Sequence, residues 1–115
     1  MIALQMFGVV TVSAEPTVTD VRIGVHSTKT RFVMDMTKTV NYKNIFPLTD
    51  PYRIVIDLPP KLNWEVPVKY QLRNIGLIAG FRNGLFNPST YRVVLDLKVP
   101  AQIKSSFILP VSYTH

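Results

Sequence analysis

Tyr52-Arg53-Ile54-Val55-Ile56-Asp57-Leu58 sets three apolar residues between a basic and an acidic one. Side chains on an extended strand alternate between two faces. Ile54, Ile56 and Leu58 therefore share one face, and Arg53, Val55 and Asp57 share the other. The first face suits a core and the second is part polar. The same pattern stands at Thr30-Arg31-Phe32-Val33-Met34-Asp35-Met36 and at Tyr91-Arg92-Val93-Val94-Leu95-Asp96-Leu97. There the apolar sets are Phe32, Met34 and Met36, and Val93, Leu95 and Leu97.

The first and third copies belong to a longer repeat. A shift of 61 positions lays residues 30–48 on residues 91–109 without a gap. Arg31, Val33, Asp35, Lys43, Phe46 and Leu48 then fall on Arg92, Val94, Asp96, Lys104, Phe107 and Leu109. The alternating set Val40, Tyr42, Phe46 and Leu48 agrees in phase with Ala101, Ile103, Phe107 and Leu109. Upstream, Ile23-Gly24-Val25 is similar to Ala79-Gly80-Phe81. The pattern predicts two related halves.

Punctuation fits short strands joined by turns. Thr49-Asp50-Pro51-Tyr52 reads as a type I turn, Asn83-Gly84 as a tight turn, and Asn87-Pro88-Ser89-Thr90 as the turn before the last motif strand. Pro59-Pro60 ends the second motif strand, and residues 61–67, with Trp64, form an irregular connection. Ile75, Leu77, Ala79 and Phe81 alternate as a strand, while residues 68–74 suit a short helical turn. Glutamate occurs only at Glu15 and Glu65, nine prolines interrupt the chain, and hydrophobic residues make up 47%. Helix formers are thus scarce and a core is available. At 115 residues the chain holds one such core. The expected fold is all-β, a β-sandwich of two similar sheets built from two related halves.

Residues 1–14 are uncharged and mostly apolar, ending Val12-Ser13-Ala14 before Glu15-Pro16. Slender residues three and one before a break suit signal peptidase, so this stretch reads as a signal-peptide remnant cleaved after Ala14. It is shorter than the roughly 20 residues that span a bilayer. The competing reading is an N-terminal strand packed on the domain. The domain proper is expected over residues 15–110, with residues 111–115 as a tail or the start of a linker. Cysteine is absent, which excludes disulfides, a thiol nucleophile and a zinc–thiolate site.

The net charge of +6 favours anionic partners. The basic residues stand singly, however, so a merely solvated surface is the other reading. With no basic cluster or nucleic-acid motif, nucleic acid is not expected as a partner. His26 and His115 are the only histidines, without the spacing of a zinc hydrolase. No glycine-rich phosphate loop appears. Each of Asp35, Asp57 and Asp96 shares its strand motif with an arginine, which suits cross-strand pairing better than paired-carboxylate hydrolysis. Neither a catalytic residue, a metal ligand nor a cofactor is expected in this chain.

The arginine-to-aspartate strands in this order, and Asp50-Pro51-Tyr52-Arg53-Ile54-Val55-Ile56-Asp57 above all, make the chain resemble the AMIN domain over about residues 18–110. That resemblance implies a sandwich of two similar β-sheets and a non-catalytic targeting module. In the family such a module precedes a zinc-dependent N-acetylmuramoyl-L-alanine amidase domain, and it is similar to modules near the start of type IV pilus secretins. The implied partners are peptidoglycan, the attached amidase domain, and envelope or divisome proteins. The implied location is the periplasm and cell envelope, at the division septum, and the implied activity belongs to the separate amidase domain. Candidate ligand contacts are Arg31, Asp35, Arg53, Asp57, Arg92 and Asp96, with Tyr52 and Tyr91 as aromatic platforms. The charged residues have a second reading as strand ladders; an arginine held by aspartate still keeps donors for a stem-peptide carboxylate. Trp64 and a loop at 82–87 are the fallback binding face. The alternative function is a protein-interaction module of a pilus or secretion complex, working through a free sheet edge.

Overall fold

The computed structural model describes residues 15–106. Its elements are β1 (Thr17–His26), β2 (Lys29–Met36), β3 (Asn44–Leu48), β4 (Arg53–Leu58), β5 (Asn63–Trp64), a 3₁₀ turn (Val68–Leu72), β6 (Ile78–Asn87) and β7 (Thr90–Leu97). They form a three-stranded sheet in the order β2-β1-β5 and a four-stranded sheet in the order β3-β4-β7-β6. All pairings are antiparallel except β1 with β5. Pro47, which donates no ladder hydrogen bond, sits on the edge strand β3.

The sheets enclose one core. Val18 and Val21 of β1 meet Ile56, Leu58, Ile78, Phe81, Tyr91, Val93 and Leu95 of the larger sheet. Phe32 of β2 abuts Phe81 edge to face, with ring centroids 5.6 Å apart. Phe32, Met34, Met36, Ile54 and Leu97 pack on the same cluster. The all-β sandwich is therefore observed, with the motif strands turned as their alternation requires.

The two hairpins β1–β2 and β6–β7 share one register. Val18 faces Met36 as Ile78 faces Leu97; Val21 faces Met34 as Phe81 faces Leu95; Gly24 faces Arg31 as Gly84 faces Arg92. Each hairpin carries an extra residue near its start, Thr19 and Ala79. Such a bulge changes the alternation, so Ile78 and Phe81, three apart, are both buried while Ala79 is exposed. This corrects two expectations. The Ile75, Leu77, Ala79, Phe81 alternation does not exist, since Ile75 makes only an isolated bridge to Ile78. Gly24 corresponds to Gly84 and not to Gly80, whose place beside the 3₁₀ turn leaves a Cβ 2.6 Å from the Gln71 carbonyl oxygen.

The turns need correction too. Asn83 and Gly84 lie inside β6, and the chain reverses at Asn87–Thr90, where Asn87 Oδ1 accepts from the Ser89 amide and hydroxyl, both at 2.8 Å. The turn at Thr49–Tyr52 is present, but its Asp50–Pro51 peptide is cis and Asp50 has φ +58°, which a type I turn does not contain. Asn63 and Trp64, expected as irregular, pair parallel with Thr17 and Val18. Of the second copy of β3, expected at 105–109, Ser105 and Ser106 have no regular structure; the rest, like the leader 1–14 and the tail 111–115, lies outside the described residues.

Candidate functional site on the outer faces

The outer face of the larger sheet carries Phe46 of β3, Arg53, Val55 and Asp57 of β4, and Arg92, Val94 and Asp96 of β7. Phe46 lies opposite Val55, Val55 opposite Val94, Asp57 opposite Arg92, and Arg53 opposite Asp96. Arg92 Nε and Nη2 donate to the Asp57 oxygens at 2.8 and 3.1 Å. The same guanidinium lies 3.6 Å from the Phe86 ring centroid and 5.8 Å from that of Phe46. Hydrogen bonding to Asp57 raises the Arg92 pKa further above its ordinary value, against the opposing effect of burial. Asp57 is only 5% exposed, whereas Leu85 and Phe86 stand in solvent. Phe86 is an extra residue in β6 that β1 does not match, and the bulge seats its ring on Arg92.

Two further bidentate pairs repeat across the halves. Arg22 Nε and Nη2 donate to Asp35, both at 2.8 Å. Arg82 Nε and Nη2 donate to Asp96 at 3.0 and 2.9 Å. Each carboxylate raises the pKa of its arginine, chiefly through these hydrogen bonds. The motif aspartates thus do not pair with the arginines of their own strands. Four residues of extended chain span roughly 13 Å, while cross-strand neighbours are about 5 Å apart. Arg22 and Arg82 carry no motif of their own, and only the hairpin register reveals them.

The other candidate residues are dispersed. Arg53 turns back on its own turn, donating from Nε to the Pro51 carbonyl at 3.0 Å and from Nη2 to that of Thr49 at 3.4 Å. With Tyr52, which is exposed, it lines a cleft of 230 Å³ alongside Leu48, Leu97 and Pro100. Arg31 is exposed on the smaller sheet opposite Gly24, and among the described residues its side chain makes no hydrogen bond or ion pair. Tyr91 is not on the surface. It is buried, donates its hydroxyl to Asn83 Oδ1 at 2.7 Å, and stacks on Trp64 with centroids 6.2 Å apart. Burial pushes its phenol above the ordinary value of 10. Trp64 also meets Phe81, so the fallback face around Trp64 belongs to the core, and residues 82–87 are strand and not loop.

What the outer faces offer chemically is directed hydrogen-bond donors beside apolar rings. Among the described residues no cluster of three or more His, Cys, Asp or Glu is placed to hold a metal ion. No family model matches the chain, and no curated protein or solved structure matches it.

Proposed function

We propose that this chain is a non-catalytic peptidoglycan-binding module, exported to the periplasm, that targets an attached N-acetylmuramoyl-L-alanine amidase to the division septum. The observation that carries the reading is the outer face of the larger sheet, where Asp57 fixes Arg92 between the rings of Phe86 and Phe46. Peptidoglycan presents stem-peptide carboxylates, N-acetyl carbonyls and apolar sugar faces. A fixed guanidinium suits the first two, and an exposed ring suits the third. The excess of positive charge draws the chain towards an anionic polymer. The resemblance of the Arg-to-Asp strands to the AMIN domain supports the same reading.

The test is sedimentation with purified, protein-free sacculi. The chain is expected to pellet with them and to release no stem peptide, with or without added zinc. A chain that stays in the supernatant, or one that cleaves the amide, overturns the reading. The alternative, an interaction module of a pilus or secretion complex, is favoured by a separate observation, the outer edge of β2, which has no strand beside it among the described residues.

A further inference from the structure

The Arg-x-Val-x-Asp motif is complementary to itself when one copy runs antiparallel to another. The β4–β7 pair shows the register: Arg53 faces Asp96, Val55 faces Val94 and Asp57 faces Arg92. Asp57 and Arg92 close as an ion pair, while Arg53 bonds its own turn and Asp96 holds Arg82. On the inner side of the same pair, Ile54 faces Leu95 and Ile56 faces Val93. The third copy of the motif is β2. The shared hairpin register puts β2 where β7 stands, with β1 in the place of β6. β7 has a strand on each side, β6 and β4. β2 has β1 on one side and, among the described residues, no strand on the other.

The surroundings of β2 carry the marks of that difference. Val93 and Leu95 of β7 are 0% and 5% exposed, whereas their counterparts Phe32 and Met34 are only half-buried. Arg92 has Asp57 across the strand pair, while its counterpart Arg31 has no partner among the described residues. The remaining long edges are less receptive. Pro47 interrupts the donors of β3, and the 3₁₀ turn lies against β6 at Gly80.

We propose that the outer edge of β2 is a strand-acceptor site whose ligand is an extended peptide segment bearing the same Arg-x-Val-x-Asp motif. The segment adds antiparallel in the register of β4 on β7. Its Asp faces Arg31, its Val faces Val33, its Arg faces Asp35, and its two inward apolar residues cover Phe32 and Met34. A slip of one residue would turn the apolar pair to solvent, and a slip of two would set Val opposite Arg31 and remove the pairing of Asp with Arg31. Backbone hydrogen bonds supply the attraction, and the charged and apolar positions supply the selectivity.

The test uses the full 115-residue chain, isotope-labelled, and a synthetic peptide of the sequence Tyr-Arg-Ile-Val-Ile-Asp-Leu-Pro, which is that of residues 52–59. Peptidoglycan is absent, so the outcome is separate from that of sedimentation. Amide resonance changes are expected to centre on residues 30–36. Arg31→Asp, a change at an exposed position, is expected to weaken binding about two- to fivefold. A peptide with Arg in place of its Asp is expected to recover the loss on that variant. No binding at millimolar peptide, changes centred on β3 or β6, or failure of the charge-swapped peptide to recover binding overturns the proposal. If the chain instead self-associates through residues 30–36 and takes up no peptide, the occupant is β2 of a second copy and the separate segment is overturned.

Discussion

Asp57 and Asp35 occupy the same place in the motif and differ in what surrounds them. Asp57 lies almost wholly under Arg92, whereas Asp35 meets Arg22 in the open, with side-chain exposures of 8% and 39%. Asp57→Asn would turn an amide donor towards a guanidinium donor and leave a shielded positive charge uncompensated. It is expected to cost about 1–3 kcal/mol. Asp35→Asn is expected to cost far less, because water replaces the lost contact at an exposed pair. Urea unfolding of both variants checks the order, and equal losses would mean that the burial of Asp57 adds nothing to the cost. Residue-scale reading of the sequence reached the right carboxylates, and cross-strand pairing of motif residues is realised at Asp57 and Arg92, but the partners of Asp35 and Asp96 were missed. Arg22 and Arg82 sit on strands whose register depends on bulges, which apolar spacing does not reveal. Tyr52 and Tyr91 precede the same motif arginine and looked equivalent. One ends in an exposed turn, while the other faces Leu58 on a central strand beneath Trp64.

At the scale of elements, β2, β4 and β7 were legible because no bulge interrupts their motif segments and each alternates cleanly. β6 was not, because Ala79 and Phe86 each shift its phase and because Asn83-Gly84 has turn composition in a place where both residues are paired to β7. The approach to β6 is a sensitive joint between the halves. Gly76 has φ +58°, and a Cβ there would collide with Thr30 Oγ1 and lie 2.8 Å from Val25 Cγ2. Thr30 Oγ1 also accepts from the Leu77 amide at 3.0 Å. Gly76→Ala therefore adds an unfavourable backbone conformation to a steric clash, with an expected loss of about 1–3 kcal/mol. In a Thr30→Ala background the clash with the hydroxyl disappears and the backbone term stays. A double-mutant cycle by thermal unfolding should give a smaller cost for Gly76→Ala there than in the wild type. Equal costs in the two backgrounds would attribute the effect to the backbone and to the Val25 contact, with no share from Thr30.

At the scale of the molecule, the equivalent hairpins set Arg31 and Arg92 on the outer faces of different sheets of one body. The repeat made this arrangement legible. The inequality of the two arginines was not, since it comes from β4 and Phe86 reaching one of them only. A module with two weak contacts on one rigid frame gains avidity on a repetitive polymer, because the second contact is effectively intramolecular. Arg31→Ala is expected to reduce retention on sacculi and leave melting unchanged, as this side chain holds nothing in place among the described residues. Arg92→Ala is expected to lower both, because it strips Asp57 of its two hydrogen bonds. Together the substitutions should reduce retention by more than either alone, with the protein still folded by circular dichroism. Sedimentation at low and moderate salt, paired with melting curves, separates loss of contact from loss of fold. Wild-type pelleting by the folded double variant would remove both arginines from the binding face, and the search for the sugar contact would pass to the cleft at Tyr52 and Arg53.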